Sequence, residues 1–159
     1  MTSETETVEV NGWSCSATWR YADPGQANVT LELSKNFGAT WPRVMLDVEV
    51  SKSPSTSLRV AEPYESDERA KGASGYEYSN GIEASCVAAI TRGLSAGLRG
   101  QHGVDISVVS GAVSVETSPK VCEFAAETAT RVLLERLTLT PSSLSDILAE
   151  LSESWAARF

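Results

Sequence analysis

The sequence predicts a single α+β domain, with an antiparallel sheet, a C-terminal βαβα unit and one extra helix at the end of the chain. Three observations lead there. Alternating strand patterns fill the first part of the chain, clearest in Arg43–Val50, where Val44, Leu46, Val48 and Val50 share one face. Two amphipathic helical patterns follow, at about Ile82–Leu98 and Pro119–Leu137, separated by the β-branched stretch Val104–Val109. Strands first and helices later is the order of a two-layer sandwich with helices on one face of the sheet.

In chain order, residues 1–7 are polar and acidic and read as a loose tail. Trp13 to Tyr21 alternates Cys15, Ala17 and Trp19 against Ser14, Ser16 and Thr18, so it reads as a strand. Asp23-Pro24-Gly25 is a turn signal, and Asn28–Leu33 returns as the second arm of a hairpin. Asn36-Phe37-Gly38 is the next turn, before Arg43–Val50. Ser57–Ala61 reads as a further strand. Residues 62–74 carry Glu62, Glu65, Asp67 and Glu68 among small residues and read as a mobile acidic loop.

Tyr76-Glu77-Tyr78 opens the βαβα unit as a short aromatic strand. Its first helix buries Ile82, Cys86, Val87, Ile90, Leu94 and Leu98, with Gly93 and Gly97 as close-packing positions and Gly100 and Gly103 as the stop. Ser118-Pro119 is an N-cap with proline at the first helical position. The helix after it turns Val121, Ala125, Ala129, Val132, Leu133 and Leu137 inward. Thr140-Pro141 repeats the cap-and-proline device, so residues 140–159 read as an appended amphipathic helix. Its stripe is Leu144, Ile147, Leu148, Leu151 and Trp155.

Composition narrows the function. A length of 159 residues with 42% hydrophobic content suits one domain with a real core. The net charge of −8 argues against general nucleic-acid binding, because phosphate contacts supply most of that affinity. No apolar run reaches the roughly 18 residues of a membrane span, and the polar start has no signal-peptide character. The expected location is therefore cytoplasmic, with no membrane partner. Cys15, Cys86 and Cys122 are odd in number and form no paired motif, so they read as buried small hydrophobes rather than zinc or disulfide residues.

Catalytic motifs are sparse. His102 is the sole histidine, with Asp105 three residues on, but no nucleophile elbow accompanies the pair. The glycines from Gly93 to Gly103 lack the Gly-Lys-Ser/Thr ending of a phosphate loop and follow a helix instead of preceding one. No catalytic residue, metal ligand or cofactor is assigned.

A family resemblance adds to this reading. Tyr76-Glu77-Tyr78-Ser79-Asn80-Gly81-Ile82, the strand Val104-Asp105-Ile106-Ser107-Val108, and Glu116–Phe124 with the alanine-rich helix after it resemble domain IV of translation elongation factor G. The match is best over residues 76–137. The resemblance implies a two-layer sandwich and two tip loops that enter the ribosomal decoding site. It would put Arg20, Gly25, Gln26 and Gly111 at that tip. The chain departs from the family where Ala22–Ala27 replaces a glycine-rich basic loop and Val115 replaces a histidine. Residues 35–74 are either an insertion or themselves the family hairpin.

The functional expectation is a non-catalytic binding module acting on a protein or ribosomal partner. The alternative is a small enzyme whose site is assembled from sequence-distant residues. The family domain has no counterpart of the last helix, so its stripe is expected either to cap an open sheet surface or to form a self-association contact.

Overall fold

The computed structural model describes residues 3–20, 26–35, 42–60, 82, 84–113, 117–137 and 143–156. It is an α+β fold. The strands are β1 (Ser3–Val10), β2 (Trp13–Arg20), β3 (Gln26–Lys35), β4 (Arg43–Lys52), β5 (Ser57–Val60) and β6 (Val104–Val113). The helices among the described residues are α1 (Ala84–Leu98), α2 (Pro119–Leu137) and α3 (Leu144–Ala156). The sheet order is β1-β2-β3-β4-β6-β5. Every neighbouring pair is antiparallel except β5 and β6, which run parallel, so the expected antiparallel sheet carries one parallel edge.

The tail expected at residues 1–7 is corrected from Ser3 onward, where β1 pairs along the whole length of β2. The local cause is Asn11-Gly12. Both residues adopt positive φ, 52° and 83°, as a two-residue hairpin turn requires, and Val10 pairs with Trp13 across it. The acidic loop at 62–74 and the strand at Tyr76–Tyr78 lie outside the described residues.

The added edge strand β1 explains the last helix. Five inter-strand spacings of about 4.8 Å make the sheet about 24 Å wide. Two helices, each about 10 Å across, leave a strip of it bare. The third helix fills the strip: α1 lies toward β5, α2 over β3 and β4, and α3 against β1. Leu144, Ile147, Leu148, Leu151 and Trp155 are all buried within the chain, so the stripe closes the core from inside. Asn11 Nδ2 donates to Ser152 Oγ at 2.7 Å and ties α3 to the first hairpin. The described α3 begins at Leu144, capped by Ser143, whose hydroxyl accepts from the Asp146 amide at 3.1 Å. Thr140 and Pro141 lie outside the described residues.

Trp13, Phe124 and Trp155 form a ring ladder through the core. Phe124 meets Trp13 edge-on at 4.8 Å and stacks on Trp155 at 5.6 Å. Trp155 Nε1 donates to Glu127 Oε2 at 2.9 Å, which satisfies the buried indole. Cys15, Cys86 and Cys122 are all buried, as the sequence led us to expect. Burial, then the charges of Glu6 and Glu32, push the Cys15 thiol up to about 12. Native protein should therefore resist thiol reagents at pH 8, with all three cysteines reacting only after urea unfolding. Rapid native labelling of Cys15 would contradict its burial. The raised thiol pKa leaves stability intact below 9.0 and erodes it as pH climbs toward about 12.

Glu150 joins the three helices. Its carboxylate accepts from Arg131 Nη2 of α2 at 3.2 Å and from Arg99, at the end of α1. These hydrogen bonds, Arg131 first, hold its pKa below the usual carboxylate range. A lowered folded pKa stabilises above the unfolded value and is lost as pH falls through the folded one. Glu150→Gln should therefore lower the melting temperature at pH 7, and the gap to wild type should shrink as the pH falls through the acid range. A constant gap across thermal melts from pH 7 to 3 would refute the linkage.

Candidate functional site

Strand alternation sorts side chains onto two faces. The face carrying Cys15, Ala17, Val29, Leu31, Leu46, Val48 and Ile106 packs under the helices. No described helix lies on the other face. Its positions are mostly hydroxyls, amides and charges, and Thr5 with Thr18 and Thr7 with Ser16 are joined across β1 and β2 by hydroxyl hydrogen bonds of 3.2 Å. Met45 and Ala112, buried opposite one another, are an apolar pair there.

This polar face opens into a cleft of about 420 Å³ at the end of the sheet where β2 stops and β3 begins. Register builds the cleft. Arg20 on β2 pairs with Asn28 on β3, Asn28 with Glu49 on β4, Glu49 with Ser107 on β6, and Ser107 with Arg59 on β5. One rung across five strands thus reads cation, amide, anion, hydroxyl, cation. Four spacings of about 4.8 Å put the two arginine Cα atoms about 19 Å apart, with Glu49 midway. The next rung carries Gln26, Ser51, Asp105 and Ser57.

Two carboxylates beside the rung have partners. Asn28 Nδ2 donates to Asp47 Oδ1 at 2.6 Å, and Ser57 Oγ donates to Asp105 Oδ1 at 2.5 Å. Asn28 Oδ1 is enclosed and meets no donor among the described residues. The charges on the rung itself behave differently. Elsewhere among the described residues, Arg43, Arg92, Arg99 and Arg131 all pair with glutamates. Arg20, Arg59 and Glu49 make no ion pair among the described residues, and all three line this cleft. The arrangement can engage a charged ligand of complementary pattern without first breaking a salt bridge among the described residues.

Of the residues that the resemblance would put at a tip, Arg20 and Gln26 line the cleft. Gly25 lies outside the described residues. Gly111 is not with them. It sits near the C-terminal end of β6, which runs antiparallel to β4 and so leads away from the cleft, and it faces the core. A Cβ there would come within 2.7 Å of Met45 O and 3.2 Å of Ile82 Cδ1, so the glycine serves packing. The five stripe residues of α3 are interior. His102 is exposed in the turn between α1 and β6, lies outside the cleft and makes no hydrogen bond to Asp105.

Sequence reading did not select Asn28, Asp47, Glu49, Arg59, Asp105 or Ser107 for this site. The signal for two of them was present: Asp47 and Glu49 are the charged positions alternating with the Val44–Val50 face. Among the described residues no group of acidic, histidine and cysteine side chains is arranged to hold a metal, and no helix is long and apolar enough to cross a membrane. In comparisons with known proteins, the chain matches no family model and no curated protein.

Proposed function

We propose that this chain is a non-catalytic binding module that engages a protein partner through the polar cleft face of its sheet. The observation that carries the reading is the convergence of Arg20, Glu49 and Arg59, charged and without ion pairs among the described residues, on one cleft, while Arg43, Arg92, Arg99 and Arg131 are neutralised by glutamates. The resemblance to elongation factor G domain IV makes the ribosome a partner worth testing, and the net charge of −8 weighs against it. A hydrolytic constellation would bring His102 to the carboxylates, and the cleft holds Asp47, Glu49 and Asp105 without it.

The test uses the full chain as bait beside Ser107→Trp, which fills the cleft, and Lys120→Glu, on a helix away from it. A specific partner kept by Lys120→Glu and lost by Ser107→Trp is the expected result. Capture that ignores Ser107→Trp would end the proposal. Co-sedimentation with purified ribosomes, run with the same variants, separates a ribosomal partner from any other.

A further inference from the structure

The rung that holds Arg20, Glu49 and Arg59 specifies more than a generic contact. A polyanionic strand would lay negative charge over Glu49, so the pattern disfavours nucleic acid. A singly charged ligand would satisfy one arginine and leave the other. The complement is a ligand with two anionic groups at its ends and a cation between them. An extended peptide supplies this directly, since side chains at i, i+2 and i+4 point to one side, about 6.7 Å apart. Its outer pair spans about 13 Å against the arginines' separation of about 19 Å. The long arginine side chains can lean inward by the remaining 3 Å or so at each end. Asn28 and Ser107, the two neutral members of the rung, stand between the charges, where they can meet backbone amides and carbonyls.

We propose that the cleft binds an extended peptide segment with acidic, basic and acidic side chains at i, i+2 and i+4, seated across the strands on Arg20, Glu49 and Arg59. The inference rests on the binding-module reading and gives its partner a chemistry.

The test is fluorescence anisotropy at low salt with the full chain and three labelled peptides, TETKTET, TKTETKT and TETETET. Wild type should bind TETKTET saturably and at least 10-fold better than the charge-inverted TKTETKT. Arg20→Ala and Arg59→Ala should each weaken that binding about 5-fold, in line with modest exposed ion pairs. Glu49→Lys should reverse the preference between TETKTET and TETETET. Circular dichroism and melting should be unchanged in all three variants, since these side chains make no ion pair among the described residues. Equal binding of TETKTET and TKTETKT, no saturable binding at all, or indifference to both arginine variants would overturn the inference. A partner still captured in the cleft-dependent assay by Arg20→Ala and Arg59→Ala would overturn the peptide pattern and leave the binding-module reading standing. No capture by the wild-type chain that Ser107→Trp abolishes would remove both.

Discussion

Replacing Leu148 and Leu151 together with serine should unfold the chain. Both leucines are buried on the face of α3 that closes the core beside β1. Truncating one buried leucine costs about 2–5 kcal/mol, and serine adds a hydroxyl that must find a partner in an apolar site. Two such losses reach about 4–10 kcal/mol before the hydroxyls are counted, against a stability of about 5–15 kcal/mol for an ordinary domain. Trp155 supplies the readout, because it stacks on Phe124 and its fluorescence reports whether α3 is seated. Urea unfolding of the double variant should show little or no folded baseline. A folded double variant of unchanged mass would mean that α3 contributes nothing to the core. A folded monomer derived from a wild-type dimer would mean that the helix serves an interface.

Placing alanine at Gly93 and Gly97 should destabilise the protein although alanine is the better helix former. The exchange gains about 0.8–1.0 kcal/mol of helix propensity per site. Space opposes it. A Cβ at Gly97 would lie 2.6 Å from Thr130 Cβ and 2.9 Å from Glu127 O, and one at Gly93 would run into Glu123 O with Ala126 Cβ at 2.8 Å. Forcing α1 and α2 apart costs about 1–3 kcal/mol per site, sometimes more. The expected net effect of the double variant is a loss of up to about 4 kcal/mol, read as a lower urea midpoint. Increased stability would show that the helices can separate freely.

Much of the fold was written locally. Val44, Leu46, Val48 and Val50 had to share a face because alternation is a property of the strand itself. Ser118-Pro119 marked the start of α2 because a missing amide costs nothing at a helix N-terminus. Asn11-Gly12 carried the hairpin signal too, and reading the acidic start as a tail passed over it. Glu4, Glu6 and Glu9 made β1 look solvated, yet charges are how an edge strand is kept from pairing further.

The rest was decided by partners far away in sequence. A bulge between β4 and β6 pairs Val48 with Val108 but Asp47 with Ser110, so the core-facing positions of β6 pass from Val104, Ile106 and Val108 to Gly111 and Val113. No local pattern announces that change, because it exists only in the pairing with β4. The insertion of β6 between β4 and β5 is of the same kind. So is the cleft. Arg20, Asn28, Glu49, Ser107 and Arg59 belong to five different strands, and only strand order and register align them into one rung. Alternation determines which face a residue takes, and that much is local. Which residues stand beside it on that face depends on non-local hydrogen bonding, which the sequence of one strand does not contain.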